Sequence, residues 1–210
     1  LGNAPEDRTR HYVEVISSSA RRMAALIDDL LVYSRLGRAA MRQQAVDMQS
    51  LVADTRAMLD ANLQAEAENS GHAHQVEWSI APLPIVVGDE NMIRQVWLNL
   101  LGNAVKYSGN REPAKIRVDY QPQPDGGHQF TVSDNGAGFD MAYAGKLFGV
   151  FLRPHKASGY PGTGIGLASV RRVLTRHGGR IWAEAEPDVG ATFHFYLPPA
   201  IDADKQGPSA

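Results

Sequence analysis

Apolar residues in the first forty positions recur at Val13, Ile16, Ala20, Met23, Ile27 and Leu30, in steps of three and four. That spacing lines one face of a helix and predicts a heptad seam over residues 4–36. At 1.5 Å per residue such a helix is roughly 50 Å long. Asn3 is placed to cap its start, with Glu6 three residues on, and Gly37 to end it. Arg21, Arg22, Asp28 and Asp29 interrupt the apolar face and are expected to point to water. One amphipathic helix cannot satisfy its own seam. It either lies on the following domain or, as its length favours, joins a bundle with partner helices.

After a polar connector, Arg38 to Gln44, the pattern changes. Met48 to Glu68 returns to helical spacing, while Gln75–Ile80 and Ile85–Val87 read as short strands. Asp89 is expected to cap a helix running through Tyr107. Lys115–Tyr120 and Gln129–Ser133 alternate at period two around the turn cluster Pro122–Gly127, the pattern of a hairpin. A helix is expected from Thr163 to His177. Arg180–Glu186 and Ala191–Leu197 then form a closing hairpin, and the polar residues from Pro198 onward are expected to fray. Elements cluster rather than alternate strictly as βαβ. The fold class predicted is α+β: a two-layer α/β sandwich, its mixed, mostly antiparallel sheet covered on one face by helices and preceded by one long amphipathic helix. Three segments follow, 1–38, 39–198 and a tail at 199–210. Gly145 to Tyr160 has no clean period and reads as a mobile lid.

Composition narrows the function without choosing it. Formal charge is −2, from 21 basic and 23 acidic residues among 210, so no field favours nucleic acid or an anionic membrane. The chain has no cysteine, hence no disulfide framework and no thiolate chemistry. Its apolar runs are too short to span a bilayer, and Leu1-Gly-Asn-Ala-Pro lacks the shape of a signal peptide, so a cytoplasmic location is expected.

The chemistry sits in three ordered strings: Asn99-Leu-Leu-Gly-Asn103-Ala-Val-Lys106-Tyr107, Asp134-Asn-Gly136-Ala-Gly138-Phe139 and Gly162-Thr163-Gly164-Ile-Gly166-Leu167. Asn99 and Asn103 lie four apart, so both amides face one way on a helix. Helical asparagines more often cap or satisfy a core, but here a lysine follows one turn later. An amide oxygen suits Mg²⁺, and being neutral it would hold the ion weakly without phosphates. Asp134 falls at a strand end before two glycines. An Asx turn is the simpler reading, yet the apolar residues that follow imply a carboxylate in need of a donor. The exocyclic amine of adenine would serve, whereas guanine would oppose oxygen to oxygen. The glycine turn opening a helix offers free N–H groups and a positive end to phosphate oxygens, with the Thr163 hydroxyl beside them. It is neither a Walker nor a Rossmann loop. Together these strings equip the chain to hold a magnesium nucleotide.

In this order they resemble the N box and the two glycine boxes of the histidine-kinase ATPase domain, the Bergerat-type fold shared with gyrase, MutL and the heat-shock ATPase chaperones. Phe148-Gly-Val-Phe151 resembles the F box, and Gly190-Ala-Thr192-Phe193 the closing glycine-threonine box. Arg21 to Arg35 is similar to the second helix of the kinases' dimerisation and phosphotransfer hairpin. The resemblance implies Asn103 as the Mg²⁺ ligand, Lys106 near the phosphates, Tyr107 beside the adenine and Asp134 accepting its amine. It implies that Gly136, Gly138, Phe139, Gly162, Thr163, Gly164, Gly166, Leu167 and Thr192 shape the ATP pocket. Asn99 stands where the ATP-hydrolysing cousins place a glutamate that activates water, which favours a kinase over a hydrolase.

None of the seven histidines lies in the family's His-Asp/Glu-Leu-Arg-x-Pro acceptor motif. His11, His72 and His74 read as ordinary solvated residues, and the chain reads as truncated just after the acceptor segment. Arg153-Pro154-His155 departs from the family's Arg-Leu-His, and Tyr160-Pro161-Gly162 with its short lid looks most like the phytochrome-type kinases. The resemblance implies a response-regulator receiver domain as partner, a homodimer through the hairpin and an upstream sensor domain. Two rivals stand beside it: a water-hydrolysing ATPase of the same fold, and a non-catalytic docking module.

Overall fold

A computed structural model describes residues 4–38, 40–71, 74–151 and 162–200. Helix α1 spans Ala4–Arg38, β1 Gln44–Asp47, α2 Met48–Ser70, β2 Val76–Ile80, β3 Ile85–Gly88 and α3 Glu90–Tyr107. Strands β4 (Ala114–Pro122) and β5 (His128–Asp134) are followed by a 3₁₀ turn at Met141–Lys146, α4 (Gly166–Arg176), β6 (Arg180–Glu186) and β7 (Gly190–Leu197).

Five strands form a mixed sheet in the order β2-β4-β5-β7-β6, parallel at β2–β4 and antiparallel elsewhere. The α+β class and the sheet under helices are as the pattern implied. Helix α3 packs on β4 and β5, α4 on β6 and β7, and α2 against α3. The packing follows from spacing: Ile93, Val96, Trp97, Leu100, Leu101 and Ala104 put one stripe of α3 into the core. Trp97 meets Phe130 and Phe195 edge-on at 5.7 and 5.2 Å between ring centroids, and those two rings stack at 4.9 Å. Truncating such a buried aromatic costs about 3–5 kcal/mol, so this trio anchors α3 to the sheet.

The start of α3 is fixed by its cap. The Asp89 carboxylate accepts from the Met92 N–H at 3.1 Å and from the Arg42 N–H at 2.9 Å. Burial pushes its acidity the other way, but these N–H bonds outweigh it and hold the carboxyl below the usual range. The Asp89 N–H in turn donates to His177 Nε2 at 3.0 Å, tying the start of α3 to the end of α4.

Four expectations change. Gly37 lies inside α1, because the helix end docks on α4: Leu36 is buried, its carbonyl accepts from Arg176 at 2.6 Å, and Arg172 sits 4.5 Å over the Tyr33 ring. The connector leads into β1, which pairs with β3 in a second, two-stranded sheet; only Val46 of its four residues is buried, too faint a pattern to read. Helix α4 begins at Gly166 rather than Thr163, since Gly164 turns through φ +76°. Asp29 is half-buried and turns to the cavity described below. The expected cap at Asn3 and Glu6 and the tail beyond residue 200 lie outside the described residues or side chains.

The heptad seam of α1 meets no partner within the described chain: Ile16 is 68% exposed, and Val13, Met23, Ile27 and Leu30 are exposed too. No helix among the described residues is long and apolar enough to cross a membrane.

Candidate functional site

The three strings of residues supply most of the wall of one cavity of about 260 Å³. Helix α3 supplies Asn99, Asn103, Lys106 and Tyr107; the end of β5 supplies Asp134, followed by Gly138 and Phe139; the turn into α4 supplies Gly162, Thr163, Gly164, Gly166 and Leu167. The sheet ladder places Asp134 because β5 ends there, opposite Ala191 of β7.

On one side the wall is apolar around a single carboxylate. Phe139 and Phe193 lie 6.2 Å apart between ring centroids, with Leu147 and Ala191 beside them. Burial pushes the Asp134 carboxyl up to about 6, although it accepts the Gly136 N–H at 2.8 Å. A carboxylate desolvated to that degree seeks an external donor.

On the other side the groups are polar. Lys106 Nζ lies 4.3 Å over the Tyr107 ring and close to Gly162, where an added Cβ would come within 3.0 Å of it. Asn99 donates its Nδ2 to the Gln95 carbonyl at 2.8 Å, which leaves Oδ1 turned to Gly166; a Cβ there would meet that oxygen at 2.4 Å. The first-turn N–H groups of α4 have no intrahelical acceptor, and no N-cap side chain bonds them either. Among the described residues no cluster of imidazole and carboxylate groups could hold a metal ion by itself.

Two residues named from the sequence are not in the cavity wall. Gly136 serves through its N–H, and its bare Cα packs on the Tyr107 carbonyl, where a Cβ would come within 2.4 Å. Thr192 faces the opposite side of the sheet and donates to Ser133 Oγ at 3.1 Å. Strand alternation puts its neighbours Ala191 and Phe193 at the cavity instead. Asp29 of α1, read from sequence as solvated, lines the cavity and accepts a hydrogen bond from Thr163. Of the lid, Phe148 packs on the core and the Phe151 N–H donates to Gly164 O at 3.0 Å. Arg153, Pro154, His155, Tyr160 and Pro161 lie outside the described residues, as does His72.

The chain is 32% identical over 195 residues to the phytochrome-like protein Cph1 of Synechocystis, a match covering 93% of this chain and 25% of that protein. It is 34% identical to the adaptive-response sensory kinase SasA of Thermosynechococcus vestitus, over 86% of this chain and 46% of that one. The chain thus spans between a quarter and a half of these relatives. A solved structure, full-length ShkA in complex with AMPPNP, superposes with a TM-score of 0.69 at 28% identity, covering 90% of this chain and 38% of that one. The family model described as histidine kinase-, DNA gyrase B- and HSP90-like ATPase matches residues 88–201, more than half of the length and all of the cavity except Asp29. The chain belongs to that ATPase family.

Proposed function

We propose that this chain is the ATP-binding, phosphoryl-donating part of a two-component sensor histidine kinase, which passes the γ-phosphoryl of ATP to a histidine and onward to a response-regulator aspartate. The observation that carries the reading is the division of one cavity into an apolar wall with a lone carboxylate and a polar end with two amides and a lysine. Asp134 would accept the adenine amine, with Tyr107, Phe139 and Phe193 walling the base. Lys106, Thr163 and the first turn of α4 would hold phosphate oxygens. Asn103, with Asn99 beside it, offers neutral amide oxygens that suit a hard cation only when phosphates complete its shell. Mg²⁺ held there would help neutralise the charge that builds on the phosphate oxygens.

Asn99 is the reason for a kinase over a hydrolase. An amide cannot take a proton from water, and its Nδ2 is engaged by its own helix. We read residues 1–38 as the second hairpin helix, 39–198 as the catalytic domain and 199–210 as a tail. The exposed seam of α1 would then complete a bundle with the first hairpin helices in a homodimer. A receiver domain and an upstream sensor are the expected partners.

The test supplies the chain with radiolabelled ATP, Mg²⁺ and a separate two-helix peptide bearing the acceptor motif. Acid-labile label on that peptide's histidine is expected, with little free phosphate. Steady phosphate release without labelling would favour the hydrolase.

A further inference from the structure

Arg111 lies beyond the end of α3 and outside the cavity, half-buried. Its guanidinium nevertheless reaches three backbone carbonyls from two loops. Nε donates to Asn135 O at 2.9 Å and Nη2 to Gly136 O at 3.2 Å; Nη2 also donates to Asp188 O. Asn135 and Gly136 directly follow Asp134, and Asp188 lies in the β6–β7 turn.

The surrounding bonds close this arrangement into a ring. The Asn135 side chain accepts from the Lys115 N–H at 2.8 Å and donates to Pro113 O at 3.1 Å. The Ala137 N–H donates to Tyr107 O at 3.0 Å, and the Asp188 N–H to Ala137 O at 2.8 Å. Converging carbonyls repel one another through the negative ends of their dipoles. A fork of charged donors satisfies several at once, a geometry that a lysine ammonium on a flexible stem does not reproduce. Gly138 and Gly190 show how little room the loop has: an added Cβ would lie 1.9 Å from Glu186 O at the first and 2.0 Å from Asp134 O at the second.

We infer that Arg111 is a positioning residue for base recognition: by clamping the carbonyls of Asn135, Gly136 and Asp188 it fixes the backbone that aims the Asp134 carboxylate into the cavity. The inference rests on the adenine reading given above.

A double-mutant cycle on the whole chain tests this, read as ADP affinity by calorimetry well below the unfolding midpoint of each variant. Arg111→Ala should weaken ADP about tenfold in the unaltered chain, and less than about twofold in the Asp134→Asn background, where no carboxylate is left to aim. Arg111→Lys, the variant to use should alanine not fold, should fall between, at about threefold. Equal weakening in both backgrounds, or a lowered melting temperature with unchanged ADP affinity, would make Arg111 a mere fold support and overturn the inference. Absence of ADP binding by the unaltered chain would instead overturn the adenine reading and carry this inference with it.

Discussion

The hydroxyl of Thr163, on the glycine turn before α4, donates a hydrogen bond to the carboxylate of Asp29 on the long N-terminal helix. Asp29 thereby brings a carboxylate from α1 to the cavity that Lys106 and the two amides also line. The same helix is held to α4 by Leu36 and Tyr33. While α1 is docked, Thr163 is engaged and a negative charge stands near where phosphates would lie.

Removing that charge should therefore help the nucleotide. Asp29→Ala, a substitution that a helix accepts readily, should tighten ATP binding by about three- to tenfold, the range for one partly solvated charge pair. Calorimetric titration checks it. Unchanged or weaker affinity would mean that Asp29 does not oppose the phosphates.

Asp134 gives a pH dependence with a defined sign. Its carboxyl is raised from 3.8 to about 6 by burial, and the ionised form is acceptor-only, whereas the protonated form carries an O–H that opposes an incoming donor. Nucleotide affinity should be full above about pH 6.5 and fall about tenfold per pH unit below the raised value. Because phosphates also titrate near pH 6, the comparison is with Asp134→Asn, whose amide does not. Parallel pH profiles for the two proteins would remove Asp134 from recognition.

The same shift makes a prediction about folding. A carboxyl raised on folding contributes stability that is fully present below 3.8 and lost as pH rises through about 6. At neutral pH the buried charge costs on the order of 3 kcal/mol, taking about 1.4 kcal/mol for each tenfold change in acidity. Asp134→Asn should thus raise the melting temperature of the empty chain at pH 7, an advantage that disappears near pH 4. A lower melting temperature at pH 7 would contradict the burial argument.

Gly138 combines φ +60° with a Cβ position 1.9 Å from Glu186 O, whereas Gly145 has nothing within 4 Å of its Cβ position. Gly138→Ala should destabilise the fold by about 2–4 kcal/mol, and Gly145→Ala should change it by less than about 0.5 kcal/mol. Denaturant melts of the two variants decide it. Equal midpoints would show that the loop yields to a methyl group.

Much of this was legible because periodicity and loop chemistry are local. The stripe on α3, the alternation in β4 and β5 and the three strings of site residues all lie within short windows. What escaped the sequence depends on tertiary partners. Asp29 reads as solvated until α1 docks on α4. Gly37 reads as a helix stop until Arg172 and Arg176 hold the helix end. The choice between Thr192 and Ala191 turns on which face of β7 meets the cavity, a register that the neighbouring glycine does not fix. Arg111 carries no motif at all; its role is visible only once three carbonyls converge on it.

The most direct measurement is a calorimetric titration of the chain with ATP and with GTP in Mg²⁺, repeated with Asp134→Asn. The account predicts ATP binding, GTP at least about a hundredfold weaker because its oxygen would face the carboxylate, and loss of that preference in the variant. Equal affinity for the two nucleotides, or no binding of either, would contradict it.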